Sequence, residues 1–517
     1  MQRSPNDTSE KYTISGEEYM LFNSFDYLMF FPIVVIVSFI IPSKIRYVWL
    51  LIASYYFYMS WNAVYGLLIA SCTIVTFLCG LSIDWIRNRA WAEKKQQFCK
   101  TAVLTISLII NFGLLFYFKY TNFALHTVQR ILNTIGVQAS FPTFDILLPV
   151  GISFFTFQAV GYTIDVYRGE TSAEKNPLRY ALFVAFFPQL VAGPIERSKN
   201  LLRQLRQPVT FNVPRAKSGL LTMAYGLFLK LVVADNIAIV VDGVYGATGE
   251  HTGTELLVAT VLFAFQIYCD FDGYTKIAIG SAEVLGYKII NNFDSPYCAN
   301  SVKAFWRRWH MSLTTWFTDY LYTPLGGSKK GFIRKQINTI VVFLFSGLWH
   351  GAAWHFVAWG GINGLLSIAE DVFQPAYGRL TKSLSINTKT TSYKILQRAY
   401  TFIAVDFTWL FFRAPSLRTG LQMLKRMVVE IRPAWLLNMD VVSMFPSPRV
   451  FVIICFSILT LLFFDTLKYK GVDVKQGIFK QQVVFRWVLY LTLLMVLLFW
   501  GVYGKDYEQT QFIYFQF

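Results

Sequence analysis

Five histidines occur in the 517 residues, His126, His251, His310, His350 and His355, and three of them fall within 46 positions. An imidazole titrates near neutrality, so it can take a proton from a hydroxyl and hand it on. Moving an acyl group onto a hydroxyl needs such a base, donors that steady the oxyanion and a dry path for the activated acyl compound. His350, between Trp349 and Gly351, is the candidate base, and the glycine is expected to let the backbone approach substrate closely. His310, beside Trp309 and expected at the end of a basic, aromatic helix, is the candidate assistant from the cytoplasmic side. The competing reading of each is a neutral imidazole bonding a neighbouring helix. His355, five residues after His350, reads as packing, and His126 and His251 fall in polar connecting segments.

Other polar groups suggest rival chemistries. The sequence contains no G-x-S-x-G elbow, Walker loop or H-E-x-x-H, which argues against hydrolase, nucleotide-driven and zinc-protease mechanisms. The six cysteines are scattered without paired spacing, so neither a disulfide framework nor a metal site is expected. Residues 325–331, LGGSKKG, read as a turn at a membrane surface, with the alternative that Lys329 and Lys330 hold a coenzyme A phosphate. In YCDFDGYTKIAIGSAEVLGY, Asp270, Asp272, Lys276 and Glu283 could mark the ion path of a transporter. Asp272 and Lys276 are also one helical turn apart, and a self-neutralised pair is the simpler account.

The elements that position these groups must live in lipid. The chain is 55% hydrophobic, 18% aromatic and only 15% charged, with a mean hydropathy of +0.43. A spanning helix needs about 20 apolar residues. Candidate segments are 27–41, 46–60, 63–83, 102–117, 147–164, 178–192, 218–241, 256–279, 336–369, 399–412, 450–464 and 487–503. An all-α polytopic membrane protein with about eleven to thirteen membrane segments is expected, the short ones re-entrant, broken or tilted. The run from Gln336 to Ala369 has 34 residues without a formal charge, and as one helix it would be about 51 Å long, too long for a single span. Glycines 347, 351, 360 and 361 offer break points, and a break around Ser346–Gly351 would put His350 against a cavity. The net charge of +17 sits in loops, at Arg87–Lys100, Arg197–Lys217 and Lys329–Lys335, where it orients the chain with those loops in the cytoplasm rather than binding nucleic acid. The segment Phe305–Gly327 reads as an interfacial or partly embedded helix. Residues 1–19 are expected to be a disordered tail or an over-long start, and 20–517 one membrane domain.

Longer motifs carry a resemblance. MLFNSFDYLMFFP at 20–32, LLPVGISFFTFQAVGYTIDVYRG at 147–169, FFPQLVAGPIERSKNLLRQL at 186–205, QIYCDFDGYTKIAIG at 266–280, FWRRWHMSLTTWFTDYLYTPLGG at 305–327, LFSGLWHGAAWHFVAWGGINGL at 344–365, WLFFRAPSL at 409–417 and FIYFQF at 512–517 together resemble the membrane-bound O-acyltransferases, within them the bacterial alginate O-acetyltransferase branch. The resemblance favours Met20 as initiator and implies a ring of helices around a tunnel joining the two membrane faces. It marks His350, in LWHG, as the essential histidine and His310, in RRWH, as the second. It also implies cytoplasmic acetyl-CoA as donor, an exported or cell-surface polysaccharide as acceptor, an extracytoplasmic esterase-like partner and the bacterial inner membrane as location. A lipid or lipid-linked acceptor, or a carrier-protein donor as in teichoic-acid D-alanylation, is the neighbouring alternative. Asp272, Lys276 and Thr318 depart from the family pattern, which suggests that Asp272 and Lys276 replace another ion pair.

Overall fold

The computed structural model of the protein describes residues 20–190, 193–503 and Ile513. Among these residues every regular element is an α, π or 3-10 helix. Five helical runs are long and apolar enough to cross a membrane: Ala63–Arg87, Glu93–Thr134, Gly253–Leu285, Pro448–Tyr469 and Val483–Trp500. Val483–Trp500 has Leu497 as its one buried residue, whereas Gly253–Leu285 is buried almost throughout. Apolar side chains facing outward around a buried helix are what a bundle dissolved in hydrocarbon requires. The protein is an all-α polytopic membrane protein. Several other expected spans are shorter or interrupted. Residues 178–192 are cut between Pro177–Ala185 and Phe187–Leu190, and 218–241 run through Val213–Leu227, a π turn at Phe228–Ala234 and Asp235–Gly246. The expectation for residues 1–19 lies outside the described residues.

The central helix, Gly253–Leu285, starts at a capping box in which the Thr252 hydroxyl accepts from the Glu255 N–H and the Glu255 carboxylate accepts from the Thr252 N–H. It ends at Gly286, whose φ of 96° is a left-handed cap. It crosses Val213–Leu227 on two pairs of glycines, Gly219 against Gly280 and Gly226 against Gly273. A Cβ on Gly219 would stand 2.6 Å from the Gly280 carbonyl oxygen, and one on Gly226 would stand 2.7 Å from that of Gly273. The backbones therefore touch, as small residues allow inside membranes, and equal spacing on both helices keeps the two pairs on one seam.

The long uncharged run is broken, as its length demanded. Phe332–His350 is followed by an extended link, residues 351–353, and a return helix Trp354–Ser383, so the chain leaves helical geometry immediately after His350. Of the four glycines offered as break points, only Gly351 lies at the break. Gly347 and Gly360 are inside the two arms, where added Cβ atoms would be 2.3 Å from the Phe356 carbonyl oxygen and 2.2 Å from that of Phe343. They set how closely the arms lie. Gly351 makes room for the Phe356 ring, 2.1 Å from where its Cβ would be, and this close approach is to protein, where substrate was expected.

The three basic loops share one end of the bundle. Arg87 donates to the Val166 carbonyl, Lys199 pairs with Glu170, Arg197 with Asp319 at 2.9 Å, and Arg334 donates to the Leu325 carbonyl at 3.2 Å. These contacts link all three loops through the ends of Ile152–Arg168 and the 318–327 segment.

Candidate active site

His350 is the last residue of its helix, so the final carbonyls of that helix lack intrahelical partners. A π turn at Phe116–Tyr120, inserted into the apolar run Glu93–Thr134, supplies them. Lys119 Nζ donates to the carbonyls of Trp349 at 2.7 Å and His350 at 3.1 Å, and the Tyr120 hydroxyl donates to that of Leu348 at 2.8 Å.

The segment around His310 is a turn between two short helices, Val302–Trp306 and Met311–Phe317, with a further π turn at Thr318–Tyr322; the single helix expected over 305–327 does not form. His310 itself has φ 44° and ψ 52°, a left-handed conformation that costs a non-glycine residue roughly 1 kcal/mol or more. Neighbouring chain holds it there. The Met311 N–H donates to the Asn292 carbonyl at 2.9 Å, the Ser312 hydroxyl to Asn292 Oδ1 at 2.6 Å, and the Asp294 N–H to the Arg308 carbonyl at 3.0 Å. From the other side the Glu370 carboxylate accepts from the N–H groups of Val302 at 2.5 Å and Lys303 at 3.1 Å, an acidic group at a helix start. Strain retained at a residue so thoroughly fixed marks a functional candidate.

These two constructions bring the histidines together. Their ring centroids are 6.3 Å apart at 62°, and the residues are 2% and 4% exposed. Phe271, near the middle of the central helix, lies edge-on to His310 at 4.8 Å, and Phe154 stacks over it at 6.4 Å. His350 is bounded by Trp349, Trp359 and Phe412 at 5.0, 5.0 and 5.3 Å. A cavity of about 50 Å³ reaches His350 between Lys119 and residues 148–154 at the start of Ile152–Arg168, where Gly151 turns the chain at φ 74°. Two imidazoles in an aromatic, nearly dry chamber can exchange a proton with a hydroxyl and shield a thioester from water.

The other polar candidates are occupied elsewhere. His355 Nδ1 is 3.1 Å from the Phe411 carbonyl on the neighbouring helix Thr391–Arg413. His251 lies beside Glu255 at 3.8 Å, while His126 is on the helix Thr121–Thr134 rather than in a connection. Asp272 pairs with Lys276 at 3.0 Å and Glu283 with Lys475 at 3.3 Å, while Asp270 shares Lys230 with Asp235, at 2.7 and 2.8 Å, so each acid of the suspected ion path has a lysine partner. The Thr318 hydroxyl is bonded back to the Thr314 carbonyl at 2.8 Å. Lys329 and Lys330 are exposed in the turn that precedes Phe332–His350, roughly 28 Å of helix away from His350. Among the described residues no cluster of three metal-binding side chains occurs.

Residues 170–414, which contain both histidines, match the MBOAT, membrane-bound O-acyltransferase family. The chain is 34% identical over 409 residues to a probable alginate O-acetylase of Pseudomonas aeruginosa, covering 79% of this chain and 75% of that one. The chain belongs to the membrane-bound O-acyltransferase family. It is an O-acyltransferase. A peptidoglycan O-acetyltransferase of Helicobacter pylori is 35% identical over 406 residues, 74% of this chain and 73% of its own. A teichoic acid D-alanyltransferase of Bacillus subtilis is 27% identical over 285 residues, 53% and 71%. Sequence reasoning overlooked Lys119 and Lys230 in this fold, although a lysine inside an apolar run is a costly group and hence a signal.

Proposed function

We propose that the protein takes an acetyl group from cytoplasmic acetyl-CoA and passes it across the bacterial inner membrane for O-acetylation of an exported or cell-surface polysaccharide. His350 acts as the base that accepts the acceptor hydroxyl proton, and His310 orients or assists the thioester from the donor side. The observation that carries this reading is the pair of buried imidazoles 6.3 Å apart, on a broken helix whose opposite end bears Lys329 and Lys330. Loops rich in bases orient toward the cytoplasm, and the exposure of Lys329 and Lys330 supports contact with coenzyme A phosphates there. An extracytoplasmic esterase-like protein receives the acetyl group or delivers the glycan.

The test is labelled acetyl-CoA given to membranes with the cytoplasmic face accessible, followed by separation of carbohydrate from lipid. Label in carbohydrate supports the proposal. The likeness to a teichoic acid D-alanyltransferase supports a second reading, with a carrier-protein donor or a lipid-linked acceptor. That reading predicts label in the lipid fraction, or none without the carrier.

A further inference from the structure

We infer that Lys119 is a positioning residue for the transfer: its ammonium ties down the last turn of the His350 helix and so fixes the imidazole at the wall of the acceptor-side cavity. The inference rests on the role proposed above for His350. A helix that stops within a membrane bundle leaves carbonyls that hydrocarbon cannot solvate, and each unsatisfied group costs several kcal/mol. Here the last three carbonyls, of Leu348, Trp349 and His350, are all taken by two consecutive residues, Tyr120 and Lys119.

Three features set this apart from routine capping. The donors come from a π turn within a run that is otherwise α-helical from Glu93 to Thr134, and single π turns inside α-helices are frequent at functional sites. The cap is a lysine at a helix C-terminus, where the aligned peptide dipoles favour a basic group, and its hydrogen bonds run to the Trp349 and His350 carbonyls. Lys119 also lines the same cavity as His350. That cavity sits at the start of Ile152–Arg168, whose other end belongs to the basic face through the Arg87 and Val166 contact. The cavity therefore lies at the end of that helix away from the basic loops, the side from which the proposed acceptor comes. An imidazole hinged on an uncapped last turn would sample positions from which the hydroxyl proton is out of reach, because proton transfer needs heavy atoms within about 3.2 Å.

Lys119→Met keeps the length of the stem and removes its donors. Initial rates of acetyl transfer from labelled acetyl-CoA, with variants inserted at equal level, are expected to show kcat reduced roughly tenfold or more, KM for acetyl-CoA within about twofold of wild type, and most of the loss restored in Lys119→Arg. His350→Ala measured alongside keeps the two claims apart. If His350→Ala retains wild-type activity, the role of His350 is wrong. If His350→Ala is inactive while Lys119→Met turns over like wild type, the inference about Lys119 alone is overturned, as it also is if Lys119→Arg restores nothing. Should Lys119→Met not accumulate, Tyr120→Phe decides: a smaller fall in kcat at unchanged KM supports the inference, and wild-type kcat overturns it.

Discussion

Replacing Gly360 with alanine tests whether the contact between the two arms of the broken helix sets the active geometry. The added methyl carbon would stand 2.2 Å from the Phe343 carbonyl oxygen, against the 3.4 Å at which ordinary contact begins. The opposing atom is backbone and cannot rotate away, so the arms must separate by about 1 Å. Trp359, the preceding residue, has its ring 5.0 Å from that of His350, so the displacement is delivered to the wall of the site. A shift of that size at a reacting group can cost about a hundredfold in rate, and overpacking costs about 1–3 kcal/mol in stability. Gly361→Ala is the matched control, because its methyl would meet nothing closer than Leu344 Cδ2 at 3.6 Å. The assay is acetyl transfer in membranes normalised to inserted protein, with thermal unfolding in detergent. Wild-type turnover and wild-type Tm in Gly360→Ala, or equal losses in both variants, would show that this contact does not set the active geometry.

Other perturbations probe separate parts of the scaffold. Gly280→Ala puts a methyl 2.5 Å from the Gly219 carbonyl oxygen and is expected to lower Tm, with a cost of about 1–3 kcal/mol, in a detergent melt. Glu370→Ala removes the acceptor for the Val302 and Lys303 N–H groups and should loosen the turn that strains His310; a fall in acetyl transfer by about tenfold, with insertion unchanged, is the expected reading. Charge reversal of Lys329 and Lys330 together should raise KM for acetyl-CoA and flatten its salt dependence while leaving kcat near wild type. A shorter thioester without the nucleotide should not notice the change.

The broken helix was legible in the sequence because 34 residues without formal charge exceed what one span can hold, and the break falls where His350 needs it. The Asp272–Lys276 pair was legible for a similarly local reason, four residues on one helix. The turn at His310 was not. Nothing in FWRRWHMS carries a glycine or proline to announce a left-handed residue, and its conformation is imposed by Asn292, Asp294 and Glu370 from other segments. Gly347 and Gly360 were visible but ambiguous, since a glycine inside an apolar run serves equally as a break or as a backbone contact, and only the partner helix distinguishes the two. The seam of Gly219, Gly226, Gly273 and Gly280 likewise needed the neighbouring helix to be known. Lys119 could have been found from its cost in an apolar run, though not the carbonyls it serves.

In the proposed reaction acyl transfer runs through His350, with His310 as the second histidine and no part for His355. The decisive measurement is transfer of label from acetyl-CoA to polysaccharide in membranes of cells that also make the partner protein, compared among His350→Ala, His310→Ala and His355→Ala at matched protein. The expected result is loss of transfer in the first, a large reduction in the second and near-normal transfer in the third. Full activity of His350→Ala, or loss confined to His355→Ala, would contradict it.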